Sequence, residues 1–411
     1  MLNRNFWLLL GNRAFTRIAY HMTTFALIIW VFELTGANIA ISLWMVVFFV
    51  ASFLSSLVAG VAADLYDRRK LMVFSNFAWG LTSLAFLTVE RSFAGILFVS
   101  FFAQALDEFF APSQNSALPQ IVKHENLIKA NSLFSIATYA ANFLGYFLSG
   151  ILLRFIGYPA PFIVAGVLVM SGGVLALFLP RLTHDGKDHL PFKEVTKGIR
   201  KNLSDQLKFF LTNRRVTSTL ILMAVIGSAS AAAGSLAPGF AEQVLNIDSR
   251  DLSFVGVLPF GLGLLLGVFA LNRKEKFVAV WKAILGFGAT LVILSLIPNL
   301  SLFISNHVAK IHAFENVPLF SLTVAFLFFL LGFFASVISI PIVTSLQRIT
   351  PSKNLGRTFA ALGTIGSVLT VVLSLIFGAA ADLATPALPT VGVGIFAIVA
   401  SFWVKDKVVI K

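Results

Sequence analysis

Arg13, Arg17 and His21 recur every fourth residue inside an otherwise largely apolar stretch running from Phe6 to Phe32. That spacing places all three on one face of a helix. A second apolar stretch carries Asp107 and Glu108 side by side, and from Phe93 to Leu106 the only polar side chains before them are Ser100 and Gln104. In such a medium an ionisable group either pairs with an opposite charge or exchanges protons. A carboxylate held against a guanidinium is a fixed counter-ion. An unpaired one, or the imidazole of His21, can take a proton on one side of a barrier and release it on the other. Adjacent helical residues point about 100° apart, so at most one of Asp107 and Glu108 can face Arg17 squarely.

The medium follows from composition. Of 411 residues 58% are hydrophobic, 43 are Phe and only 12% are charged. That is more apolar surface than a soluble core of this size hides, so the bilayer is the expected solvent. The absence of cysteine removes disulfides, thiolate metal sites and Cys nucleophiles. His184, His189, His307 and His312 fall between apolar runs without metal-ligand spacing. No P-loop or nucleophile motif occurs, and "NIDSRD", Asn246 to Asp251, reads as a turn. Neither catalysis nor a bound cofactor is expected.

A hydrocarbon layer about 30 Å thick needs roughly 20 apolar residues per helix. Twelve such runs end at charges, Pro or Asn/Gly clusters: Phe6 to Phe32, Ile39 to Ala63, Leu71 to Val89, Phe93 to Leu118, Leu127 to Leu153, Pro159 to Leu179, Val216 to Pro238, Leu252 to Leu271, Phe277 to Ile297, Leu319 to Ser345, Thr358 to Ala381 and Pro386 to Val404. With the N-terminus in the cytoplasm, the basic clusters at Arg68, Arg69 and Lys70, at Arg273, Lys274 and Lys276, and at Lys405 and Lys407 all lie inside. Only Arg91, Arg154, Arg250 and Lys310 lie outside. This asymmetry is the positive-inside rule, so the net charge of +13 reports topology rather than affinity for nucleic acid. A multi-pass protein of the inner (plasma) membrane is expected, with both termini cytoplasmic and the chain acting as a monomer.

The basic segment 181–215 divides the spans six and six, into bundles 1–180 and 216–411. Within it Phe192, Val195, Ile199, Leu203, Leu207 and Phe210 recur at helical spacing opposite Lys193, Lys197, Arg200, Lys201 and Lys208, as in an amphipathic helix lying on the membrane face. The halves echo each other. "GVAADLYDRRK" from Gly60 follows the second span and "GVFALNRKEK" from Gly267 the eighth, while "PSQNSALPQIV" from Pro112 and "PIVTSLQRIT" from Pro341 end the fourth and tenth. The expected fold is an all-α membrane protein of twelve transmembrane helices in two pseudo-symmetric six-helix bundles, an architecture of secondary transporters.

Gly60, Asp64, Arg68 and Arg69 resemble the loop signature of the major facilitator superfamily, GxxxD followed by a basic cluster, with Leu65 and Asp67 departing from it. "ELTGA" after the first span, "DEFFAPSQNSALP" with "KANSL" around the fourth, and "LAPGFAEQVL" before the eighth look most like its macrolide- and siderophore-exporter branch. In the fifth span Tyr146 stands where proton-coupled exporters usually have Pro. The resemblance implies that Gly60, Asp64, Arg68 and Arg69 form a conformational gate. It also implies a cavity lined by the first and fourth spans, where Arg13, Arg17, His21, Gln104, Asp107 and Glu108 are the candidate proton-coupling residues. Counted from the cytoplasmic ends of their spans, Arg17 and Asp107 lie at equal depth. Two readings of Asp107 stay open, a counter-ion of Arg17 or the proton carrier, and the resembling exporters often carry Asp there.

The function expected is proton-coupled efflux of a hydrophobic or amphipathic small molecule, such as a drug, macrolide or siderophore-like compound, driven by the proton gradient. The alternatives are translocation of a lysophospholipid or similar solute, and a membrane sensor without transport. Small residues in the seventh span, "GSASAAAGSLAPG", and the eighth, "GLGLLLG", are read as permitting close helix packing.

Overall fold

The computed structural model describes residues 2–182, 210, 212–273, 280–307 and 317–407. Apart from Phe210, the expected amphipathic segment from Phe192 lies outside the described residues. The described residues form helices and no strand: α1 Arg4–Thr35, α2 Asn38–Leu65, α3 Arg68–Ala85, α4 Phe93–Ile121, α5 Leu127–Phe155, α6 Pro159–Leu177, α7 Arg214–Ser235, α8 Leu258–Arg273, α9 Val280–His307, α10 Val317–Ile349, α11 Ser352–Leu383 and α12 Ala387–Lys407. Among the described residues eleven helices are long and apolar enough to cross a membrane, and α12 adds the shorter apolar stretch Ala387–Phe402. Each expected span therefore has its helix.

The helices outrun the apolar runs because capping groups, not hydropathy, end them. The Asn3 side chain accepts from Phe6 N at 3.0 Å, and Gly36, at φ 65°, donates its N–H to Phe32 O. Asp67 caps α3, accepting from Arg69 N at 2.9 Å, and Ser92 caps α4, accepting from Gly95 N at 3.0 Å. These are ordinary N-cap and left-handed C-cap solutions for orphaned backbone groups. The eighth span differs from expectation at its start. A wide π turn, Ser253–Val257, precedes the regular helix, where Pro259 has no N–H to bond the preceding turn.

Contacts divide the chain into two compact units, Met1–Gly36 with Leu43–His189, and Ala37–Ser42 with Leu190–Lys411. In the first, α1 packs against α4, α5 and α6, and α3 against α4 and α6. In the second, α7 packs against α10, α11 and α12, and α9 against α10 and α12. Adding six to each of these helix numbers converts one set of pairings into the other, which is the internal repeat seen in the residues, whereas the close α8–α10 pairing has no equally close counterpart between α2 and α4.

The two small-residue spans part company. On α8 a Cβ at Gly263 would stand 1.9 Å from Phe329 O, and one at Gly267 1.9 Å from Ser336 Oγ. These glycines let α8 and α10 touch backbone to backbone, as expected. On α7 a Cβ at Gly227 or Gly234 would meet nothing within 4 Å. On α7 the packing reading holds for Ser228, Ala229, Ala232 and Ser235, which are buried, and is corrected for Gly227 and Gly234, which face open space.

Helix α2 begins in the second unit. Asp382, near the end of α11, accepts from Asn38 N at 2.8 Å, Asn38 Nδ2 at 2.9 Å and Ile39 N at 2.9 Å, and Ser42 Oγ donates to Ser374 O at 2.6 Å. A carboxylate on the free N–H groups of a helix is favoured by both hydrogen bonding and the helix dipole. Asp382→Ala is expected to lower stability by about 2 kcal/mol, seen as an earlier thermal transition in Trp fluorescence. An unchanged transition would show that the cap contributes nothing.

Candidate functional site

The site in the first unit is built on α1, held close to α5 at Gly145. A Cβ there would stand 2.6 Å from Ile18 O and 3.1 Å from Met22 N. Backbone atoms cannot step aside as a flexible side chain can. Gly145→Ala is therefore expected to cost about 1–3 kcal/mol by overpacking, measured as a lowered thermal transition of the purified protein. A wild-type transition would mean that the two helices separate without cost.

On the face thus fixed, Arg17 Nη2 donates to Asp107 Oδ1 at 2.9 Å and to Oδ2 at 3.2 Å. Both side chains are nearly buried, at 14% and 10% exposure. The guanidinium also lies 5.1 Å from the Tyr20 ring, a cation–π distance. The residues counted to equal depth in the first and fourth spans thus meet.

Glu108 points elsewhere, as the 100° offset requires. Its Oε1 accepts from Ser52 Oγ on α2 and, at 2.9 Å, from Gln104 Nε2 one turn earlier on α4. Gln104 Oε1 in turn accepts from Tyr20 O–H at 3.4 Å. Among the described residues no cation lies within ion-pair distance of Glu108. The nearby charges are those of Arg17 and Asp107, which largely cancel in their own pair. One carboxylate of the double acid is spoken for, and the other rests on neutral donors.

Among the described residues Arg13 meets no acid. Its Nε donates to Thr138 Oγ1 at 3.0 Å, and its Nη1 to Gln114 Oε1 at 2.8 Å and Asn115 Oδ1 at 3.4 Å. Gln114 is fully buried and also donates through Nε2 to Asn12 Oδ1 at 2.9 Å, while Asn12 Nδ2 donates to Gly172 O on α6 at 2.7 Å. An amide clamp thereby fastens α1, α4 and α6. His21 sits between the rings of Tyr20 and Tyr146, centroids 5.0 and 4.8 Å away, and its buried Nδ1 makes no hydrogen bond. The structure brings together Arg17, Asp107, Glu108 and Gln104, with Arg13 and His21 one helical turn to either side of Arg17.

Ser52, Tyr20, Thr138 and the Asn12–Gln114 clamp were not singled out from the sequence. The signal available was weak, a polar side chain within an apolar run.

Of the expected gate, Gly60 and Asp64 lie in α2, and their side-chain surroundings fall outside the described residues. Arg68 is buried and donates Nη1 to Ser116 O on α4 at 3.3 Å. Arg69 donates Nη2 to Leu177 O, the last residue of α6. Asp67 Oδ1 accepts from Leu182 N at 3.2 Å as well as capping α3. Arg69 thus serves the last carbonyl of α6, where a cation is favoured, and Arg68 a carbonyl further inside α4.

Comparison with known proteins is consistent over nearly the whole chain. Residues 9–323 match the profile of the Major Facilitator Superfamily. Macrolide efflux protein A of Streptococcus pyogenes is 22% identical over 390 residues, covering 90% of this chain and 89% of that one. Enterobactin exporter EntS of Shigella boydii is 25% identical over 350 residues, covering 79% and 76%. Among solved structures, a bacterial homologue of the human lysosomal transporter Spinster, inward-facing and occupied, superposes with a TM-score of 0.69 at 13% identity, covering 99% of this chain and 98% of that one.

Proposed function

The chain belongs to the major facilitator superfamily, and we propose that this multi-pass membrane transporter is a secondary exporter that couples outward movement of a hydrophobic or amphipathic small molecule to inward movement of protons. The observation that carries the coupling is Glu108, a half-buried carboxylate held by Ser52 and Gln104 beside a separate ion pair. A carboxylate on neutral donors can lose its charge without abandoning a cation in the membrane interior, where an unpaired charge is costly. Asp107 cannot, because its protonation strands Arg17. The proton is thus assigned to Glu108 and the counter-ion role to Asp107, one of the two readings of Asp107 that the sequence left open.

Export is supported by two relatives that carry macrolides and enterobactin outward by their names. The basic clusters support a cytoplasmic location for both termini, in the inner or plasma membrane of the cell. The chain works as a monomer whose energy source is the proton gradient, with no bound cofactor. The gate reading is kept for Gly60, Asp64, Arg68 and Arg69, the last two bonded to carbonyls of α4 and α6.

Flux into proteoliposomes tests the reading. An uncharged aromatic dye is expected to move faster against an imposed pH gradient than after the gradient is collapsed with a protonophore. Lysophospholipid movement indifferent to the gradient would favour a lipid translocator instead, and no flux of either class would favour a sensor.

A further inference from the structure

The second unit contains a cavity of about 480 Å³ whose lining runs from Met223 to Thr390, entirely within that unit. Its size falls among small-molecule sites, which span roughly 300–1,000 Å³. Two sides of its chemistry stand out. Four aromatic rings, Phe240, Phe260, Phe287 and Phe328, come to it from four different elements, and no charged side chain lines it. Among its hydroxyls, Thr390 is occupied, donating to Pro386 O at 2.8 Å, whereas Ser230 and Ser339 have no hydrogen-bond partner among the described residues.

The room is made by α7. Gly227, Ser230, Gly234 and Ala237 all line the cavity, at spacings of three and four that set them on one helix face. The open space beside Gly227 and Gly234 is this volume. Elsewhere in the same unit glycines are spent on backbone contact, as at Gly263 and Gly267.

We infer that this cavity holds the transported solute's apolar portion, and that the solute is an uncharged aromatic molecule carrying one or two hydrogen-bonding groups. The inference rests on the export reading and names its substrate class. Charge is excluded by the lining, since an ion there would be desolvated without a partner. Aromatic character is favoured by four rings able to stack on or edge toward a planar guest. The hydroxyls of Ser230 and Ser339 supply the orientation that an all-carbon wall lacks.

Binding of N-phenyl-1-naphthylamine, an uncharged aromatic fluorophore, to the full chain in nanodiscs provides the test, with empty nanodiscs subtracted. One saturable site is expected. Gly227→Leu and Gly234→Leu place their side chains in the open volume, so both are expected to keep the wild-type thermal transition while weakening binding at least about tenfold, or 1.4 kcal/mol. Ethidium, a permanent cation of comparable size, is expected not to compete. Unchanged binding in variants that fold, competition by ethidium, or non-saturable partition alone would overturn the assignment. So would native mass spectrometry showing a co-purifying lipid that Gly234→Leu removes, because the occupant is then an acyl chain. If either variant fails to fold, Ser339→Phe on α10 fills the same space from the opposite wall and must give the same loss. Binding is read without flux, so gradient-independent flux would sink the coupling and leave this site standing, and the reverse also holds.

Discussion

Arg17→Gln is expected to destabilise the protein more than Arg17→Gln combined with Asp107→Asn. Removing the guanidinium leaves Asp107, 8% exposed, with its charge uncompensated or forced to take up a proton. Breaking a buried pair from one side typically costs about 3–5 kcal/mol, whereas replacing both members by neutral groups of similar shape is often close to neutral. The double variant keeps an amide on each helix, able to hydrogen-bond where the ions did. It should recover most of the loss. Asp107→Asn alone strands Arg17 beside the Tyr20 ring, 5.1 Å away, and that contact offsets only part of the lost Coulomb attraction. Its transition is expected to lie between those of the double variant and Arg17→Gln. The measurement is thermal unfolding followed by the intrinsic fluorescence of the six Trp residues, since a thiol-reactive dye has no cysteine to report on. A double variant as unstable as Arg17→Gln would mean that the two side chains matter for packing and not as a pair.

This pair was legible before any coordinates because it needs only two counts. Hydropathy locates the ends of the first and fourth spans, and helical rise converts residue number into depth. The same logic located all twelve helices and their duplication into two sets of six. Rotation about a helix axis was less accessible. That Glu108 turns toward α2 and meets Ser52, rather than toward α1, depends on how α4 is rolled against two neighbours. Nothing in the stretch around Ser52 distinguishes it from Ser55 or Ser56. Sequence distance hid the cap on α2, in which Asp382 and Asn38 lie 344 residues apart.

The two glycine-rich spans show the limit of composition. α7 is much the richer in small residues, yet it is the glycines of α8 that admit a neighbouring backbone, while Gly227 and Gly234 of α7 face an empty volume. Small side chains create space, and only the neighbours decide whether a helix or a solute occupies it.

Glu108→Gln is expected to abolish the effect of a pH gradient on flux while leaving the protein folded. The amide keeps an oxygen to accept from Ser52 and Gln104, so the hydrogen bonds that seat the side chain survive. What disappears is the proton. If Glu108 carries it, the variant still exchanges substrate down its own gradient, but an imposed pH difference no longer accelerates export. The gradient-driven component should fall on the order of tenfold or more, equivalent to about 1.4 kcal/mol of lost driving interaction. Glu108→Asp, which keeps the acid one methylene further from Ser52, should retain a reduced gradient dependence. These variants separate Glu108 from Asp107: Asp107→Asn is expected to lose stability together with all flux, whereas Glu108→Gln loses only the coupling. A Glu108→Gln protein that responds to the gradient as the wild type does would place the proton elsewhere. His21 would then be the next carrier to test, since it is a titratable group packed between two tyrosines one turn from Arg17.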